Sequence, residues 1–288
     1  MLDRTSAAIL FPGQGASVTG SRPLVEEHCP RLYLRAREHL DADPFEHAER
    51  STRFAQPAVF LASLAGWRAA ESAGIDPCAY AGHSLGEIAA LTAAGVLAPG
   101  DALELVVLRG RVMDEVSSIT RGGMVAILKG TVEEAERLAL AHGLRVANYN
   151  APAQIVLSGP LEGLDAATRD ARAQGLRALR LAVSGAFHTP ALRPARVQFQ
   201  QALKAVTIKP ARGPVFSSMT AAPFTDPVNQ LGAALINPVR WAETMKALEQ
   251  LGPPGYLDIG PDRILERLVP RNLGDVNIID RANLGAHA

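Results

Sequence analysis

The sequence is poor in cysteine and has no excess of either charge. Only Cys29 and Cys78 occur, without the spacing of a metal site, and Cys78 falls in a predicted buried strand. A disulfide framework is therefore not expected. Lysine plus arginine and aspartate plus glutamate both number 29, which gives a formal net charge of zero. No global field attracts nucleic acid or an acidic membrane, and only a local basic patch remains available for an acidic partner.

Long apolar runs are also missing. The N-terminus carries Asp3 and only the short run Ala7–Phe11, which fits neither a signal peptide nor a membrane-spanning helix. Tandem repeats, low-complexity tracts and long linkers are absent from the sequence. What is present is 288 residues, 48% hydrophobic and 20% charged, enough to bury one large core or one core plus a satellite. We expect a globular cytoplasmic protein.

Short apolar runs alternate with longer stretches of helical periodicity along most of the chain. The runs have the length of buried strands and are Ala7–Phe11, Cys78–Gly82, Val215–Ser218, Tyr256–Ile259 and Val276–Ile279. This alternation favours an α/β fold with a mostly parallel, doubly wound sheet.

Residues 122–187 follow a different order. Strands are predicted at Met124–Leu128, Leu144–Asn148, Gln154–Ser158 and Leu176–Val183, and helices at Val132–His142 and Leu161–Gln174. The order β-α-β-β-α-β is that of a ferredoxin-like unit. Because strand-like runs resume after it, we predict a small subdomain at 122–187, inserted into a catalytic subdomain formed by 1–121 and 188–288. The crevice between the two is the expected functional site.

One serine lies in a setting typical of a nucleophile. In AGHSLGEIAAL, Ser84 follows a predicted strand, precedes a run of helix formers and is flanked by Gly82 and Gly86. The G-x-S-x-G pattern at a strand-to-helix turn is the signature of a nucleophile elbow, which holds a strained serine beyond the sheet edge. The structural alternative is a glycine-flanked serine in an ordinary turn.

A serine nucleophile needs a base, and His188 is the candidate among seven histidines. It lies in SGAFHTP, where the chain returns from the small unit to the large one. The others fall in polar N-terminal segments, at a predicted helix end, in the tail, or beside the serine with a diverging side chain: His28, His39, His47, His142, His287 and His83. Asp165 and Asp170 look like the solvated face of a helix, so an acid that orients His188 is not evident. A backbone carbonyl would serve equally well and would give a dyad.

A glycine-rich loop, FPGQGAS, follows the first predicted strand. It fails as a dinucleotide loop because Val18 occupies the position of the third glycine, and it lacks the Lys-Ser/Thr ending of a P-loop. Two interpretations of the loop remain: a plain tight turn, or a loop that brings a backbone amide close to the nucleophile. In hydrolase-like folds the oxyanion hole combines the amide after the serine, here Leu85, with one from another loop, for which Gln14 is the candidate.

Arg109 lies on an apolar helix face in DALELVVLRGRVMDEV. Its neighbours at helical spacing are apolar, whereas Arg111 has Asp114 and Glu115 at i+3 and i+4 and is predicted to pair on the surface. An unpaired guanidinium on an apolar face costs several kcal/mol in order of magnitude. Its partner is either a distant acid within the fold or a substrate carboxylate held bidentately.

Together these motifs resemble a known family. FPGQG, GHSLGE, the RGR helix, NYNAPAQIVLSG, SGAFH, INPVRW and LDIGP occur in the order found in malonyl-CoA:acyl carrier protein transacylases and polyketide synthase acyltransferase domains. The resemblance covers nearly the whole chain and implies an α/β-hydrolase-like large subdomain with a ferredoxin-like insert. It implies Ser84 as the acylated nucleophile, His188 as its base, the Gln14 and Leu85 amides as oxyanion hole, and Arg109 as the clamp on the malonyl carboxylate.

Two positions near the histidine bear on the substrate that the resemblance implies. Phe187 stands where malonyl-selective members often carry Phe, and its ring would crowd a C2 methyl, a preference worth about 1–3 kcal/mol. Ala234 stands where many members carry Gln. If only a main-chain carbonyl orients His188, Ala234 can supply it, whereas if the Gln side chain matters, activity or acceptor choice would differ.

The resemblance implies malonyl-CoA and an acyl carrier protein as partners of a monomer that needs no metal or other cofactor. Fatty acid and polyketide synthesis both remain open, and NYNAPAQIVLSG and SGAFH look more like discrete polyketide enzymes. Two other functions remain open: a proofreading acyl hydrolase on carrier proteins, and a non-catalytic module that docks to them.

Overall fold

Two β-sheets organise the chain in the computed structural model, which describes residues 5–183 and 185–281. The strands are β1 (Thr5–Phe11), β2 (Ile75–Gly82), β3 (Gly122–Leu128), β4 (Arg145–Ala151), β5 (Gln154–Pro160), β6 (Arg177–Arg180), β7 (Val215–Ser217), β8 (Ala222–Pro223) and β9 (Tyr256–Asp258). The helices are α1 (Arg22–His28), α2 (Pro30–Leu40), α3 (Pro44–His47), α4 (Thr52–Ser72), α5 (Gly86–Ala93), α6 (Pro99–Thr120), α7 (Val132–Ala141), α8 (Leu161–Ala173), α9 (Arg193–Leu203), α10 (Pro227–Ala234), α11 (Trp241–Glu249) and α12 (Val269–Leu273), with 3₁₀ turns at Pro190–Leu192 and Glu266–Leu268.

The first sheet has the order β8-β7-β2-β1-β9 and is parallel except for β8. Both of its faces are covered, since Ile9 and Phe11 of β1 join one buried cluster with α4, α5 and α6 while Leu10 joins another with Trp241 and Met245. Burial on both faces explains why β1 is a continuous apolar run. The predicted α/β fold with a mostly parallel sheet is confirmed. Phe11 and Gly82 are partners in the register, so the loops that follow β1 and β2 start side by side.

The second sheet is antiparallel, with the order β4-β5-β3-β6. The chain runs β3-α7-β4-β5-α8-β6, which is the predicted ferredoxin-like order. Helix α7 starts with a capping box between Thr131 and Glu134, and α7 and α8 pack on the face that carries Val125 and Ile127. All four of these strands lie inside 122–187. The division into 1–121 with 188–288 and 122–187 remains a prediction.

Several local expectations need correction or lie outside the structure. The strand predicted at Val276–Ile279 is wrong: Ile278 makes only an isolated bridge to Tyr256, because β9 spans three residues and offers little edge to pair with. Cys78 is half-buried rather than buried, and both cysteines are free. Asp3 and His287 lie outside the described residues. Of the helices within 5–183 and 185–281, none is long and apolar enough to cross a membrane.

Candidate active site

Ser84 forms a strained turn between β2 and α5. Its φ is 53°, a left-handed conformation that a serine adopts only when its surroundings hold it. A Cβ on Gly82 would lie 2.0 Å from the carbonyl carbon of Gly86, and one on Gly86 would lie 2.1 Å from the carbonyl oxygen of Phe11. The turn therefore requires glycine at both positions. This geometry is that of a nucleophile elbow.

His188 contacts Ser84 directly, although 104 residues separate them. The distance from Ser84 Oγ to His188 Nε2 is 2.9 Å, and His188 Nδ1 lies 2.9 Å from the Ala234 carbonyl and 3.0 Å from that of Asn237. Two acceptors at Nδ1 fix its proton there and leave Nε2 as the acceptor for the serine hydroxyl. Burial, then the charge of Arg109, lower the pKa of His188 to about 4, so the imidazole is neutral near neutral pH.

The acids between Ser84 and His188 in sequence do not orient this imidazole. Asp165 pairs with Arg180 at 3.6 Å, and Asp170 binds His142 at 3.1 Å. Both lie on α8, as predicted. The backbone carbonyls of Ala234 and Asn237 hold His188 instead. The effect of Ala234 in place of a glutamine on activity or acceptor choice stays a prediction.

Arg109 of α6 is buried and points at the same serine. Its Nη2 donates to Ser84 Oγ at 3.1 Å and its Nη1 to Gln56 Oε1 at 2.7 Å. Burial lowers the pKa of Arg109 to about 10, and the charge of Glu87 opposes that shift. Within the described residues Arg109 forms no ion pair, and Glu87 acts on it through space. The substrate carboxylate as its partner stays a prediction. Arg111, by contrast, is exposed and lies 3.8 Å from Glu115.

The loop after β1 packs against the elbow. The His83 N–H donates to the Phe11 carbonyl at 2.9 Å, and a Cβ on Gly13 would lie 2.8 Å from the His83 carbonyl oxygen. The Gln14 side chain donates to Thr52 Oγ1 at 2.8 Å, and Gln14 lines the same cavity as Ser84. Leu85 is the N-cap of α5. The oxyanion-hole role of the Gln14 and Leu85 amides stays a prediction.

A cavity of about 310 Å³ opens above Ser84, between the two sheets. Its lining includes Ser84 from the turn after β2, Arg109 from α6, the side chains of Phe187 and His188, and a wall from the second sheet made by Met124, Ala126, Val156, Asn148, Asn150 and Gln154. His83 turns away from Ser84, as predicted, and its Nε2 lies 2.8 Å from Asn150 Oδ1. The cavity therefore combines apolar walls, formed by side chains such as Met124, Val156 and Phe187, with polar groups around Ser84 that can bind a charged acyl end.

Sequence reasoning missed three buried polar side chains around the site. Gln56, fully buried, contacts Arg109 and also donates to Gln14 Oε1 at 3.2 Å. Glu87 accepts hydrogen bonds from Ser217 and Ser218, and burial raises its pKa to about 7. A lone Gln in the apolar run FAQPAVFLASLAG and a lone Glu in GEIAALTAA were available signals, whereas nothing local singles out Ser218.

The described part of the chain brings together no group of three or more His, Cys, Asp or Glu side chains that could hold a metal ion. The expectation that no metal is needed stays a prediction.

Comparisons with known proteins agree over nearly the whole chain. A family model described as an acyl transferase domain matches residues 37–285. A malonyl CoA-acyl carrier protein transacylase of Bacillus subtilis is 36% identical over 283 residues, which are 92% of this chain and 89% of that protein. The crystal structure of FabD from Acinetobacter baumannii has a TM-score of 0.87 at 30% identity, over 96% of this chain and 94% of that one. A malonyl-transacylase solved in complex with its type II polyketide synthase acyl carrier protein has a TM-score of 0.85 at 30% identity, over 97% of this chain and 98% of that chain.

Proposed function

Because this chain belongs to the malonyl-CoA:acyl carrier protein transacylase family, as its motifs predicted, we propose that it is an [acyl-carrier-protein] S-malonyltransferase. It moves a malonyl group from malonyl-CoA to the phosphopantetheine thiol of a carrier protein through a malonyl ester of Ser84. The observation that carries this proposal is the convergence of His188 Nε2 and Arg109 Nη2 on Ser84 Oγ, at 2.9 and 3.1 Å.

The first half-reaction acylates the serine. Ser84 Oγ attacks the thioester carbonyl of malonyl-CoA while its proton passes to His188 Nε2, and the Gln14 and Leu85 amides face the oxyanion. The C–S bond then breaks, and His188 gives the proton to the departing CoA thiolate. In the second half-reaction His188 takes the proton of the carrier thiol while its sulfur attacks the malonyl ester. The C–O bond to Ser84 then breaks, and His188 returns the proton to Ser84 Oγ.

Arg109 selects the acyl group in this scheme. A buried guanidinium without an ion-pair partner is costly, and the malonyl carboxylate supplies that partner in bidentate geometry. Phe187 lies in the same cavity and disfavours a methyl at C2 of the acyl group. A hydrolase of neutral acyl chains would leave Arg109 unpaired, which favours the transferase. The intact dyad likewise argues against a non-catalytic docking module.

The setting is proposed from the family and the sequence. We place the enzyme in the cytoplasm as a monomer that supplies extender units to fatty acid or polyketide synthesis, with NYNAPAQIVLSG and SGAFH favouring polyketide synthesis. The complex of a related transacylase with its carrier supports a carrier protein as the acceptor.

Intact-mass spectrometry tests the covalent step. Wild-type protein mixed with malonyl-CoA should gain one malonyl increment, with and without a metal chelator, and Ser84→Ala should gain none. An adduct that persists in Ser84→Ala would refute the assignment. A wild type that loads only after metal is added would refute metal-independent chemistry.

A further inference from the structure

Two buried serines lie next to each other at the carboxyl end of β7, and only one of them reaches the nucleophile. Ser217 and Ser218 both donate their hydroxyl protons to Glu87 Oε1, at 3.1 and 3.0 Å. The Ser218 oxygen also accepts the backbone N–H of Ser84, at 3.4 Å. Because the Ser218 hydroxyl donates its hydrogen bond to Glu87, a lone pair of Ser218 Oγ is free to accept from the elbow.

The backbone of Ser218 is held on both sides. Its N–H donates to Glu87 Oε1 at 2.7 Å, and its carbonyl accepts the Arg240 N–H at 2.6 Å. Arg240 comes three residues after Asn237, whose carbonyl holds His188 Nδ1. Ser218 therefore connects the backbone of Ser84 to the segment 237–240, which supports His188.

We propose that Ser218, held by Glu87, is a positioning residue that fixes Ser84 relative to His188, an inference that rests on the proposed role of Ser84 as nucleophile. Ser84 has a left-handed φ, and Ser218 Oγ is the acceptor that the described residues provide for its N–H. A buried N–H that loses its acceptor drives the backbone toward other partners. Without the Ser218 hydroxyl, Ser84 Oγ leaves its 2.9 Å contact with His188 Nε2.

The two serines supply a matched pair of variants. Ser217→Ala and Ser218→Ala each remove one buried hydroxyl that donates to the same carboxylate oxygen, and neither residue lines the cavity. Only Ser218→Ala removes the contact with Ser84. We expect both variants to lose the same free energy of unfolding, measured with urea. Only Ser218→Ala is expected to lose reactivity at Ser84.

Reactivity is measured as the rate at which a small uncharged fluorophosphonate labels Ser84, with fluoride as the leaving group, so that neither malonyl nor carrier recognition is involved. We expect labelling to slow about tenfold in Ser218→Ala and to stay within about twofold of wild type in Ser217→Ala. The KM for malonyl-CoA should be unchanged in both. Ser218→Thr, which keeps the hydroxyl, should restore labelling to within about threefold of wild type.

Equal slowing in the two alanine variants, an unchanged rate in Ser218→Ala, or a folded Ser218→Thr protein as slow as alanine would each overturn the proposal. A wild type that is labelled but takes up no malonyl overturns the proposed function and leaves the positioning role standing on the labelling rates. A wild type that is not labelled overturns the positioning role with the nucleophile.

Discussion

In the proposed function, Arg109 is the side chain that distinguishes a malonyl transferase from a general acyl enzyme. Arg109→Ala removes the proposed partner of the malonyl carboxylate, so malonyl loading of Ser84 should fall about 10²–10³-fold. Acetyl loading should be kept or increase, because a neutral acyl chain no longer faces an unpaired charge. Single-turnover loading with malonyl- and acetyl-CoA measures both. Arg111→Ala, which alters an exposed residue of the same helix, is the control, and an Arg109→Ala variant that loses both substrates alike would contradict the clamp.

The acid side of the pH profile reports on His188. A protonated imidazole cannot accept the serine proton, so acetyl loading should fall with a midpoint near 4 in wild type, well below the usual 6.5 of histidine. Arg109 lowers the pKa of His188, so in Arg109→Ala the midpoint should move to higher pH. A wild-type midpoint at 6.5, or no upward shift in Arg109→Ala, would contradict the electrostatic account.

The elbow between β2 and α5 depends on two glycines rather than on its serine alone. Gly86→Ala forces a methyl against the Phe11 carbonyl at 2.1 Å, and such overpacking should lower the free energy of unfolding by about 2–3 kcal/mol. Gly15→Ala is the matched control from the neighbouring loop, because nothing lies within 4 Å of its added Cβ, and it should change stability by less than about 0.5 kcal/mol. Urea unfolding compares them. Equal stabilities for the two variants would mean that the elbow tolerates a side chain at Gly86.

Across the whole molecule, sequence reasoning succeeded where the signal is local. Apolar periodicity indicated the β-α-β-β-α-β unit, and the elbow motif placed Ser84 at its turn. It failed at Val276–Ile279, where pairing depends on how long the neighbouring strand β9 is. It also missed Ser218, whose contact with Ser84 spans 134 residues of sequence and exists only once β7 lies beside β2. Contacts of this kind arise from tertiary assembly and leave no pattern in the chain.

The fate of the malonyl ester on Ser84 tests the central claim most directly. Malonyl-loaded enzyme, freed of CoA, is mixed with a phosphopantetheine-bearing carrier protein or with buffer alone, and malonyl-carrier and free malonate are followed over time. The account predicts that malonyl reaches the carrier thiol at least about tenfold faster than it appears as malonate, and that high salt slows transfer to an acidic carrier. Release as malonate at the same rate with or without the carrier would contradict the account and identify a hydrolase.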